Sequence, residues 1–156
     1  MGIGETMGDE TPAAASAASA GVSEEPKRNA RRVLILEDDE ELKGLIAEYL
    51  YDFGYDVTRV SNGVDGVREL AKRDYDAVIC DMMMPKLPGD MFYLAVQRMR
   101  PRLCDRFLFV TGHKHDPKIG EFIARIGGTI LNKPFRMETL LDMLAYVQVR
   151  ALSLPG

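Results

Sequence analysis

The sequence predicts a single α/β domain built on a parallel sheet. Five short apolar runs recur from Val33 onward, three of them apolar throughout, as strands covered on both faces by helices should be. Between them lie segments with apolar residues at i, i+3, i+4 and i+7, the signature of helices that bury one face. The chain has 156 residues, 46% hydrophobic and 28% charged, which suits one domain with a core and a solvated cover. Five strands alternating with five helices make a sheet with crossover helices.

Each element follows from its pattern. Val33-Leu34-Ile35-Leu36 reads as the first strand. Leu42, Leu45, Ile46, Tyr49, Leu50 and Phe53 share one helical face, and Gly54 closes that helix as a C-cap. Tyr55 to Val60 is the second strand, and Val64 to Arg73 a weaker helix. Ala77-Val78-Ile79-Cys80 is the third strand, and Met91 to Arg100 a helix that Pro101 stops. Phe107-Leu108-Phe109-Val110 is the fourth strand. Ile119, Phe122, Ile123 and Ile126 form the next helical stripe, closed by Gly127-Gly128. Thr129-Ile130-Leu131 is the fifth strand, and Met137, Leu140, Leu141 and Leu144 mark the last helix.

The domain is expected to span residues 31–150, with 151–156 a short C-terminal tail. Residues 1–30 read as a disordered tail: Thr11 to Ser23 is almost entirely Ala, Ser, Gly, Pro and Thr. Such a segment has too little apolar surface to offset about 1–2 kcal/mol of backbone entropy per ordered residue. It carries five acids and two bases, so residues 31–156 are nearly neutral, with 19 acids and 18 bases.

Composition also excludes functions. No stretch approaches the roughly 18 unbroken apolar residues of a membrane span. Acids outnumber bases 24 to 20, which argues against direct DNA binding, since that needs a clustered basic excess. Cys80 and Cys104 are too few for a disulfide scaffold and wrongly spaced for a zinc site. A reducing cytoplasm is the expected compartment.

In open α/β sheets, ligands bind beyond the carboxyl ends of the strands, where the strand order reverses. Glu37 and Asp38 follow the first apolar run, Asp81 the third, Thr111 the fourth and Lys133 the fifth. Each has an ordinary reading: acids at a helix start with Asp39 as N-cap, a loop cap, a turn, a solvated amine. Their joint placement on one rim points to a site. Crowded carboxylates repel unless a cation joins them, and Mg2+, a hard ion with oxygen ligands, suits them. Lys133 adds a fixed cation and Thr111 a hydroxyl donor, which together cradle a phosphoryl group. Asp81 is the candidate nucleophile and its product an acyl phosphate.

These residues resemble the receiver domains of two-component response regulators. The matching segments are Val33 to Glu40, Asp81-Met82-Met83-Met84-Pro85-Lys86-Leu87-Pro88-Gly89, Val110-Thr111-Gly112 and Lys133-Pro134-Phe135. The resemblance covers residues 31–150, with Thr111 lying 30 residues and Lys133 lying 52 residues after Asp81. It implies a flavodoxin-like five-stranded sheet of order 2-1-3-4-5, with Asp81 as phosphoacceptor. Asp38 would bind Mg2+ directly, Glu37 would hold metal-bound waters, and the Met83 backbone carbonyl would complete the metal site. Thr111 and Lys133 would engage the phosphoryl oxygens. The Lys133–Pro134 bond matches one usually cis in the family. The implied phosphodonor is a histidine kinase or histidine phosphotransfer protein, docking mainly on the first helix.

Some positions depart from the family pattern or keep a plain reading. The fifth strand carries Ile130 where receivers commonly have an aromatic, so a ring swing cannot report phosphorylation here. His113 reads as an exposed loop residue, Cys80 as a core side chain, and Arg98, Arg100 and Arg102 as a solvated helix end. No output domain is legible, so the chain is expected to act through another protein or to be a receiver cut from a hybrid sensor kinase. It is not expected to be an enzyme beyond Mg2+-dependent self-phosphorylation and slow autodephosphorylation. A haloacid-dehalogenase-like phosphatase needs an acid two residues after the nucleophile, and Met83 stands there. A phosphorylation-independent interaction domain that merely retains the motif is the remaining alternative.

Overall fold

Period-2 alternation along the strands sorts their side chains to two faces, and two hydrophobic cores result. The computed structural model describes residues 30–154, so the expected N-terminal tail, apart from Ala30, lies outside the described residues. The order of elements is β1 (Arg32–Leu36), α1 (Glu40–Asp52), β2 (Asp56–Val60), α2 (Gly63–Lys72), β3 (Ala77–Asp81), α3 (Gly89–Met99), a 3-10 segment (Pro101–Arg106), β4 (Phe107–Thr111), α4 (Pro117–Ile126), β5 (Thr129–Asn132) and α5 (Met137–Leu152). The strands form one parallel sheet in the order β2-β1-β3-β4-β5, the order expected.

Leu34, Leu36, Val78, Cys80, Phe107 and Phe109 face one side and pack with Leu70 of α2, Phe92 and Val96 of α3, and Phe122 of α4. Val33, Ile35, Ala77, Ile79, Leu108 and Val110 face the other, under Ile46 and Leu50 of α1 and Leu140 and Leu144 of α5. The sheet is thus covered on both faces, as its apolar strands require. Strand order reverses between β1 and β3, and the crevice there opens at the strands' carboxyl ends.

Local signals explain most boundaries. Asp39 caps α1 by accepting from Glu41 N–H and Leu42 N–H, and Gly127 ends α4 in the left-handed conformation, φ 64°. Tyr55 belongs to the turn after α1, not to β2: its N–H donates to Leu50 O at 3.1 Å. The last helix runs from Met137 to Leu152. The 3-10 segment was not expected. Pro101 ends α3, and burial of Leu103 draws the next turn against the core. Arg100 is not a solvated helix end either. Its Nη2 donates to Leu70 O at 2.8 Å and its Nε lies 3.6 Å from Asp74, tying the end of α3 to that of α2.

Candidate functional site

The five consecutive residues Glu37 to Glu41 split by geometry into two tasks. Asp39 turns toward the α1 N-terminus as its cap, and Glu40 pairs with Lys43 at 2.9 Å. Glu37 and Asp38 remain at the crevice, where they meet Asp81 of β3. One carboxylate oxygen from each of Glu37, Asp38 and Asp81 lies within 4.8 Å of the others. Glu37 and Asp81 are buried and Asp38 is exposed.

Asp81 is held from two sides. Its Oδ1 accepts the Met83 backbone N–H at 3.1 Å, and its Oδ2 accepts from Lys133 Nζ at 3.2 Å. Lys133 Nζ also pairs with Glu37 Oε1 at 3.0 Å. The lysine reaches inward because its own backbone is anchored: Lys133 N–H donates to Thr111 O at 2.7 Å, and the following bond to Pro134 is cis. Thr111 is fully buried at the end of β4, and its Oγ1 accepts His113 N–H at 3.0 Å, leaving its own proton to donate. The Met83 side chain is exposed, while its backbone is fixed beside Asp81.

The electrostatics favour a cation. Glu37 Oε2 accepts Asp39 N–H at 3.1 Å, but Oε1 is buried without a hydrogen-bond partner, the Lys133 contact being an ion pair outside hydrogen-bond alignment. Burial pushes the Glu37 carboxyl up to about 7, against the Asp39 N–H and Lys133, which pull it down; the Asp81 charge adds to the rise. Burial lowers the Lys133 ammonium's tendency to stay charged, but Glu37 and Asp81 outweigh it and the pKa is raised overall. Three acids gather beside one lysine, and the excess negative charge fits a hard divalent ion. Glu37, Asp38, Asp81 and the Met83 carbonyl would hold it.

Gly89 lets the start of α3 lie against this loop. A Cβ there would stand 2.8 Å from Asp81 O and 2.9 Å from Met82 Cα, and Gly89 N–H donates to Met82 O at 3.1 Å.

Comparison with known proteins gives this geometry a family. A match to the response regulator receiver domain covers residues 33–145. The chain belongs to that family. This receiver is 30% identical over 131 residues to the transcriptional regulatory protein TcrA of Mycobacterium tuberculosis, an alignment spanning 80% of this chain and 47% of TcrA. It is 24% identical to the response regulator receiver protein CpdR of Brucella abortus, over 78% of this chain and 99% of CpdR. The chain therefore spans about half of TcrA but nearly all of CpdR. Its fold matches the receiver domain of a sensor histidine kinase from Pseudomonas aeruginosa, with a TM-score of 0.69 and 24% identity over 77% of this chain and 98% of that one. That domain was solved with a magnesium ion coordinated in its active-site cleft.

Glu37, Asp38, Asp81 and Lys133 of the receiver converge, with Thr111 joined to the lysine through the backbone. His113 is exposed, and its backbone, not its ring, touches the site. Ile130 is half-buried against the core under α3 and α4. Sequence reasoning missed Lys43. This lysine is 5% exposed, and its Nζ joins Glu40 and Ser61, stapling α1 to the loop after β2. The Glu40–Lys43 spacing of three was a legible helical ion pair; Ser61 lies in the loop after β2 and carried no signal.

Proposed function

We propose that this receiver accepts a phosphoryl group on Asp81 from a histidine kinase or histidine phosphotransfer protein and acts as a protein-interaction switch. The observation that carries this reading is the placement of a buried aspartate between Lys133 and two further acids at the switch of strand order. In the reaction, an Asp81 oxygen forms the new P–O bond as the P–N bond of phosphohistidine breaks. The imidazole leaves with the electron pair and takes up a proton. Lys133 neutralises charge on the transferred group, and the Thr111 hydroxyl donates to one of its oxygens. Bound Mg2+ would supply Lewis-acid stabilisation of the phosphoryl oxygens. Receiver domains bind this ion at such acidic sites, and the fit of Glu37, Asp38, Asp81 and the Met83 carbonyl extends that to this chain.

The protein turns over no separate substrate in this reading and slowly hydrolyses its own acyl phosphate. No helix of the described residues is long and apolar enough to cross a membrane, and both cysteines are free, in keeping with a cytoplasmic setting. The downstream target is a protein.

Acetyl phosphate with Mg2+ tests the chemistry. One acid-stable, base-labile phosphoryl group per chain is expected by intact mass, absent in Asp81→Asn and after chelation. No incorporation, with none from a panel of histidine kinases, would leave a phosphorylation-independent interaction domain. Release of product from a separate phosphoester would make it an enzyme.

A further inference from the structure

Lys43 is the only lysine buried among the described residues. Burying an ammonium is costly unless the charge is paired and hydrogen-bonded, so its partners are informative. Lys43 Nζ donates to Glu40 Oε2 at 2.9 Å and to Ser61 Oγ. Ser61 Oγ donates in turn to the same Glu40 oxygen at 3.1 Å. The three side chains close a triangle between the first turn of α1 and the loop after β2.

That triangle adjoins the acidic site. The connection from β1 to α1 is tied to the end of β2 on both sides. Glu37 N–H donates to Val60 O at 3.1 Å, and Lys43 holds the start of α1 to Ser61, the next residue. Within this frame Asp39 N–H donates to Glu37 Oε2, and Lys43 N–H donates to Asp39 O at 2.9 Å. Asp38 is exposed, and among the described residues no donor holds its carboxylate. The aim of Asp38 therefore depends on how rigidly the backbone on either side of it is held. Glu40, two residues further on, would be another acid within reach of the crevice. Its carboxylate is instead occupied by Lys43 and Ser61.

We infer that Lys43 and Ser61 are positioning residues for the metal site: they fix the loop so that Asp38 meets the cation, and they keep Glu40 out of the crevice. The inference rests on the proposed Mg2+ site and adds the residues that support it from outside.

Mg2+ titrations of the full-length protein without a phosphodonor, followed by the amide signals of Asp38 and Met83, read the affinity directly. Lys43→Met keeps the buried stem and removes only the ammonium. It should raise the half-saturating Mg2+ concentration about 10-fold, the low end of the range for groups that support metal ligands. Ser61→Ala leaves Glu40 on the lysine and should raise it about 3-fold, a smaller loss of the same kind. Ser61→Thr keeps the hydroxyl and should restore the unmodified value. With acetyl phosphate, the Mg2+ requirement should rise by the same factors, while the rate at saturating Mg2+ stays within about 2-fold. Val147→Ala truncates a fully buried side chain of α5, so it lowers stability without touching the frame. Its Mg2+ affinity should not change. If Lys43→Met fails to fold, the two Ser61 variants decide alone. Unchanged affinity in Ser61→Ala and in folded Lys43→Met, or an equal loss in Val147→Ala, would overturn the inference and leave the Mg2+ site standing. An unmodified protein that takes up no Mg2+ would remove the site, and the inference with it.

Discussion

At the scale of single residues, the site is organised by unequal burial of similar groups. Glu37 and Asp38 are neighbours in sequence, yet one is enclosed and the other faces water. Burial raises Glu37 to about 7, whereas in the unfolded chain it would ionise near 4.5. The folded metal-free protein therefore binds more protons than the unfolded one between those values. Its stability should fall as pH rises from about 4.5 to 7, by no more than about 1.4 kcal/mol per pH unit. Metal affinity should move the opposite way, because a cation needs the ionised acid and displaces the proton. Denaturant melts of the metal-free protein across that window, beside Mg2+ titrations, check both slopes. Glu37→Gln should flatten them; unchanged slopes in that variant would assign the titration elsewhere. The sequence showed which residues share the rim, since strand ends are legible from apolar runs. It did not show that Lys133 bridges Glu37 and Asp81, because that choice depends on backbone anchoring by Thr111 across two strands.

At the scale of elements, two glycines in similar helical settings should respond oppositely to alanine. In α2, a Cβ at Gly66 would stand 2.6 Å from Leu36 Cδ2 and 2.8 Å from Phe92 Cε1, both on fully buried side chains. Gly66→Ala should cost about 1–3 kcal/mol through overpacking. In α4, a Cβ at Gly120 meets nothing within 4 Å. Gly120→Ala should stabilise by about 0.5–1 kcal/mol through helix propensity and unfolded-state entropy. Paired equilibrium unfolding measurements decide; equal signs would refute the packing argument. Here the sequence was partly readable. Caps such as Asp39, Gly54 and Gly127 and the stop at Pro101 marked helix ends, because they act through local backbone chemistry. The 3-10 segment and the role of Arg100 were not marked. Leu103, Val147 and Gln148 are buried by partners distant in sequence, and no local pattern encodes them.

At the scale of the whole molecule, the question is how far a phosphoryl group on Asp81 reaches. Thr111 Oγ1 accepts His113 N–H, His113 O accepts Asp116 N–H, and Asp116 caps α4 through Lys118 N–H. A hydroxyl that reorients toward a phosphoryl oxygen therefore pulls on a chain of bonds ending at the α4 N-terminus. That helix buries only Ile119 and Phe122 among its residues, whereas α5 buries four, so α4 offers the weaker resistance. A hydrogen bond to a charged group contributes about 1.5–3 kcal/mol, and moving a population from 1:99 to 99:1 takes about 5.5 kcal/mol. One such bond shifts the population only part of the way; Lys133 or a bound partner must supply the rest. Ile130 offers no ring whose swing could add to it. Amide spectra with a beryllofluoride phosphoryl mimic should show partial shifts over Gly112 to Arg125, while the centres of β1 and β3 stay fixed. Thr111→Ala should bind the mimic and lose the α4 component. Shifts confined to the loops around Asp81, even with a cognate partner present, would break the proposed route from Thr111 to α4.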